Sequence, residues 1–125
     1  STQAKTLFPY TTLFRSAGTE WTPTFTSLGS TGTPTITGRY YRINQKICLF
    51  FVTITPLTDT TSTAATTYIS NFPLTFTTDS VCFAGTGSGA VQAIGGIRAS
   101  DSRIYTPGWS AVTTPITVVG FSTVQ

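Results

Sequence analysis

Histidine is absent from all 125 residues, and with it go the Ser-His-Asp and Cys-His catalytic arrangements and the ordinary zinc sites. Proton transfer would then fall to the four carboxylates, Glu20, Asp59, Asp79 and Asp101. Each is flanked by Thr or Ser at an expected strand end or loop, where Asp closes turns through hydrogen bonds to its own backbone. The sequence therefore predicts no catalytic residue, no metal site and no cofactor. The richest polar and aromatic mixture is Asp101 to Ser110, DSRIYTPGWS. Here Tyr105 and Trp109 flank a Pro-Gly turn with Asp101 and Arg103 nearby, a set able to stack on a sugar ring and hydrogen-bond its hydroxyls. The competing reading is that both aromatic residues pin the loop onto the core. The glycine-rich run Gly85 to Gly89, GTGSG, lacks the Lys-Ser/Thr and the helix that a phosphate loop needs, and reads as a hairpin turn.

The elements that must position these residues are strands. Thr and Ser supply 41 residues and aromatic side chains 16, against 11 charged residues and no Met, a β-forming composition with few helix formers. No window sustains a helical apolar period. The organising stretch is Gly38 to Pro56, GRYYRINQKICLFFVTITP, read as two strands folded back around Asn44 and Gln45. In the second arm, Lys46 to Thr55, the odd positions Ile47, Leu49 and Phe51 point to one face and the even positions Cys48, Phe50, Val52 and Ile54 to the other. Both sets are apolar, so one face lines the core and the other needs a cover such as a second sheet or another subunit.

Around this hairpin the chain predicts a first strand at Trp21 to Ser27, a loop at Gly29 to Gly32 and a Thr-rich connection from Leu57 to Ala65. Further strands follow at Thr66 to Ser70, Thr75 to Thr78 and Val81 to Thr86. Gly95-Gly96 separates two more, Ala90 to Ile94 and Ile97 to Ala99, and the series closes with Arg103 to Thr106 and Ile116 to Val124. About eight strands at this spacing predict an all-β, antiparallel, jelly-roll-like sandwich. The last strand is again apolar on both faces, a pattern shared by a strand buried in an oligomer and by a sandwich-core strand flanked by loops. Cys48 and Cys82 fall inside strands and read as buried free thiols.

The formal net charge is +3, but Lys5 and Arg15 lie in the first sixteen residues, and the remaining basic residues are scattered. No nucleic-acid partner is expected from such a distribution, and no apolar run long enough for membrane insertion occurs. Thr6 to Ser16, TLFPYTTLFRS, resembles the translation of a sequencing-adapter oligonucleotide. Residues 1 to 16 are accordingly set aside as an artefactual or disordered segment, leaving one domain over residues 17 to 125. The chain then reads as the end of a longer protein whose upstream part is missing.

From Trp21 onward the order of landmarks resembles the C-terminal domains of phage tail fibres and related virion proteins. Those landmarks are WTPTFTSLGSTGTPTITGRYYRINQKICLFFVTIT, SNFPLTF, VCFAGTGSGAV, SRIYTPGWS and ITVVGFSTV. The resemblance implies a trimeric β-sandwich at a fibre tip, assembled in the host cytoplasm and exposed on the virion, contacting a bacterial surface glycan or protein or simply capping the fibre. It carries over no specific receptor-binding residue, so Asp101, Arg103, Tyr105 and Trp109 rest on residue chemistry alone. Two other readings remain: a monomeric carbohydrate-binding module of a secreted enzyme, and a small glycoside hydrolase with two carboxylates meeting across a cleft.

Overall fold

A computed structural model describes residues 18–125; the adapter-like segment lies outside the described residues. Among them the fold is all-β and antiparallel, with twelve strands and no helix. The organising hairpin is β4 (Thr35–Arg42) and β5 (Ile47–Thr55), paired in continuous register from Thr35↔Thr55 to Arg42↔Cys48. Asn44 makes its turn: the side-chain Oδ1 accepts from the backbone N–H groups of Lys46 at 2.7 Å and Ile47 at 2.9 Å.

With β7 (Tyr68–Ile69), β8 (Ser80–Gly85), β9 (Gln92–Arg98), β10 (Arg103–Tyr105), β12 (Ile116–Thr123) and two short edge strands, β1 (Thr19–Trp21) and β2 (Phe25–Thr26), this hairpin forms one nine-stranded sheet in the order β1-β4-β5-β12-β8-β9-β10-β7-β2. Its edges, β1 and β2, are neighbours in the chain. A flat sheet of this size would hold its edges about 38 Å apart. Residues 22 to 24 reach no further than about 14 Å between Trp21 and Phe25. The sheet must therefore curl until its two edges approach. The Asn71 side chain fastens the bridging segment, accepting from Thr24 N and donating to the Thr22 carbonyl. The first strand expected at Trp21 to Ser27 is thus divided at Pro23, whose ring cannot donate to a ladder.

Curling gives the sheet an inside. The even residues of β5, Cys48, Phe50, Val52 and Ile54, are fully buried there. They stand opposite the inner residues of β12 (Ile116–Thr123), with Ile116↔Ile54 and Val118↔Val52. Gly120 faces Phe50, and any Cβ there would come within 2.7 Å of the phenyl ring. Phe72 and Phe76, from the connection after β7 (Tyr68–Ile69), fill the interior, their rings stacked at 4.8 Å. Phe72 also meets Trp21 edge-on at 5.1 Å. Cys48 and Cys82 both face this core but lie on β5 and β8 (Ser80–Gly85), with β12 between them. Two strand spacings, about 9.6 Å, exceed what a disulfide can span.

Three strands were not expected. β3 (Gly29–Thr31), β6 (Asp59–Ser62) and β11 (Trp109–Val112) form a small second sheet, ordered β11-β6-β3, from stretches that read as loop, Thr-rich connection and turn. Conversely, Thr75 to Thr78 contributes only an isolated bridge, Phe76↔Val124. The Gly95-Gly96 break does not occur. β9 (Gln92–Arg98) runs straight through it, paired with Cys82 and Val81 on one side and Tyr105 on the other. Gly95 marks a close backbone approach, since a side chain there would collide with the Tyr105 carbonyl.

Candidate functional site

The hairpin of β9 and β10 (Arg103–Tyr105) carries the polar aromatic set. Its register places Arg103 opposite Arg98, Ile104 opposite Ile97 and Tyr105 opposite Gly96. Ile97 and Ile104 enter the core, so Arg98, Arg103 and Tyr105 project from the outer face. Like charges directly opposite one another repel, and the turn residue Asp101 supplies the counter-charge. Arg98 Nε donates to the Asp101 carboxylate at 3.1 and 3.2 Å, and Arg103 Nε lies 3.3 Å from its Oδ2. Hydrogen bonding from Arg98, reinforced by the charge of both arginines, holds the Asp101 carboxyl below its ordinary range.

The tyrosines complete the cluster. Arg98 and Arg103 donate to the Tyr105 hydroxyl at 2.6 and 3.2 Å. The Arg103 guanidinium sits 4.1 Å over the ring of Tyr68, and that of Arg98 4.7 Å from the centre of Tyr105. Tyr68 and Tyr105 are cross-strand partners with centroids 5.2 Å apart. The ring of Tyr105 is thus held between a guanidinium and a second phenol, and its stacking capacity is used within the protein.

A shallow groove of about 490 Å³ runs beside this cluster. The Gly95-Gly96 backbone lines it together with Ile94, Tyr105 and Pro107, and Arg98 and Asp79 add polar groups. A methyl group on Gly96 would meet no heavy atom within 4 Å, so the groove is open above that residue. Asp79 uses one carboxylate oxygen to accept from Ala99 N at 2.8 Å. The arrangement offers an apolar strip bordered by guanidinium donors and carboxylate acceptors, chemistry that suits a ring with hydroxyl groups.

Of the residues singled out in the sequence, Asp101, Arg103 and Tyr105 come together and Trp109 does not. Trp109 is only 7% exposed, packs in the core from β11, and donates its indole N–H to Thr60 Oγ1 at 3.4 Å. The loop-pinning role therefore applies to Trp109, which offers no stacking face. Sequence reasoning missed Arg98 and Tyr68. A hairpin closing at Ser100-Asp101-Ser102 sets Arg98 against Arg103, a signal available in the spacing; Tyr68 comes from a distant strand and leaves none.

The other carboxylates are committed singly. Glu20 ion-pairs with Arg39, its direct partner across β1 and β4, and Asp59 accepts from Thr31 N at 3.2 Å. Among the described residues no group of three or more His, Cys, Asp or Glu residues could hold a metal ion, and no helix is long and apolar enough to cross a membrane. No protein family, curated protein or solved structure matches the chain.

Proposed function

We propose that this domain is a virion structural and host-surface-binding domain, the tip of a trimeric tail fibre, and that it adheres to a bacterial surface glycan without catalysing a reaction. The observation that carries the binding half is the groove over Gly96. It combines an apolar, side-chain-free floor with Arg98 and Asp79 on an otherwise weakly charged, hydroxyl-rich surface. Neutral sugars present the matching chemistry, apolar ring faces with hydroxyl donors and acceptors at their edges. The engagement of each carboxylate in a turn or an ion pair supports binding over hydrolysis. The sequence resemblance to fibre tips supports the location on the virion and an extracellular site of action.

The test is retention of the domain on immobilised bacterial surface polysaccharides, comparing the wild type with Gly96→Phe. The substitution fills the groove without touching the core, so its melting temperature stays at the wild-type value while retention falls by about tenfold or more. Retention equal in both proteins, or none on any polysaccharide, would overturn the reading.

A further inference from the structure

The outer face of the curled sheet carries an apolar row in unbroken register over four strands. Phe51 on β5 stands opposite Val119 on β12, Val119 opposite Phe83 on β8, and Phe83 opposite Ile94 on β9. A second row sets Tyr41 opposite Leu49 and Leu49 opposite Phe121. Phe51, Val81, Phe83, Ile94 and Phe121 are all substantially exposed, Phe121 at 62% and Ile94 at 66%. At about 150–250 Å² for a whole aromatic side chain, these residues leave several hundred Å² of apolar surface open. That is about half of the roughly 800 Å² which each partner contributes to a standard interface, enough for its apolar centre with the neighbouring Thr row as rim.

The chemistry of the face says what covers it. At the end of the first apolar row Arg39 faces Phe51 and Glu20 faces Arg39, and the two charges are ion-paired to each other, so a charged partner finds no unneutralised countercharge there. The adjoining row is Thr37, Thr53, Thr117, Gly85 and Gln92, uncharged groups that donate and accept equally well and can therefore meet their own kind. Gly85 leaves this row without a side chain, and the result is a hollow of about 550 Å³ walled by Phe83, Ile94 and Val119. Phe121 protrudes from the other end of β12. Knob and hollow on one neutral surface make the face complementary to a copy of itself.

We infer that the outer face of β5, β12, β8 and β9 is a self-association surface, on which a neighbouring copy of this chain seats its Phe121 in the hollow over Gly85. This rests on the oligomeric part of the proposed function and specifies the face that makes it. Ile94 forms the shared rim between the hollow and the Gly96 groove, so the ligand groove runs along the border of the interface.

The experiment is solution mass by light scattering across the micromolar range for the wild type, Phe121→Glu, Phe83→Glu and the control Leu57→Glu. Leu57 is as exposed as the interface residues but lies outside the face, in the loop after β5. The expected result is an oligomeric wild type and control, with dissociation constants raised by about tenfold or more in both face variants and melting of the separated monomer unchanged. An oligomer that keeps its mass in both face variants overturns this inference and leaves the proposed function standing. A dimer that the face variants dissolve upholds the inference and removes the trimer from the proposed function. A wild-type monomer throughout the range overturns the inference together with the trimer, while polysaccharide retention still decides the binding role.

Discussion

Arg98 and Arg103 stand directly opposite each other on β9 and β10, and the turn between them places Asp101 against both guanidinium groups. Two like charges in cross-strand register oppose the hairpin, and one carboxylate reverses that sign. The tyrosines then fix the arginine planes, so the hairpin tip presents a rigid edge to the groove instead of two mobile side chains.

Asp101→Asn removes the charge and leaves the shape. Without it the two arginines repel, and the melting temperature is expected to fall by a few degrees at pH 7. The folded-state pKa of Asp101 is depressed below its ordinary value near 4, so its stabilisation is present above that value and is lost as pH falls through the depressed one. The difference in melting temperature between wild type and Asp101→Asn should therefore be full at pH 7 and shrink toward zero at strongly acid pH. A difference that persists unchanged in acid would deny the carboxylate this role.

Phe50 and Phe51 are adjacent in sequence and opposite in consequence. Phe50 is fully buried against the rings of Phe72 and Phe76, whereas Phe51 is 39% exposed on the outer face. Phe50→Ala is expected to cost about 3–5 kcal/mol by denaturant titration, and Phe51→Ala under about 1.5 kcal/mol when measured on the monomer. Equal losses would mean that the two faces of β5 are not distinguished as described.

The β4–β5 hairpin was legible because three local signals agree: the Asn44 turn, the β-branched and aromatic run, and Pro56 as its stop. The alternation of β5 told that two faces were apolar; which one faced the core depended on the curl of the sheet, a property of nine strands together. β3 and β6 are Thr- and Ser-rich, with β6 in the centre of the small sheet between β3 and β11, and they lack the apolar alternation that marks a strand. Within the candidate site, Asp101, Arg103 and Tyr105 lie within five residues of one another and were found together. Trp109 belongs to the same stretch, but Pro107-Gly108 carries the chain into the second sheet, and its indole turns inward.

The thiols report on core integrity. Burial pushes Cys48 up to about 11 and Cys82 up to about 12, so neither is a thiolate near neutrality. In the folded protein at pH 8 both should resist a thiol reagent over hours, and both should react within minutes in denaturant. Their raised values also mean that stability is full below about pH 9, where an unfolded thiol stays protonated, and falls as pH rises toward 11 and 12. Cys48→Ala with Cys82→Ala should lessen that alkaline loss. Rapid labelling of either thiol in the native protein would count against its burial.

Gly95 and Gly96 look interchangeable in sequence and are not. A Cβ on Gly95 would lie 2.2 Å from the Tyr105 carbonyl oxygen and 2.9 Å from Pro107, backbone and ring atoms that cannot swing aside. Gly95→Ala must therefore push β9 and β10 apart, at a cost of about 1–3 kcal/mol or more. Gly96 has open space above it, and neither glycine has a positive φ. Gly96→Ala is expected to be neutral or stabilising by about 0.4–1 kcal/mol, since the unfolded chain loses freedom that the folded strand never used. Denaturant midpoints of the two variants against wild type give the comparison. The order Gly95→Ala below wild type and Gly96→Ala at or above it is the expected one; the reverse order would place the Tyr105 backbone against the wrong glycine and close the groove.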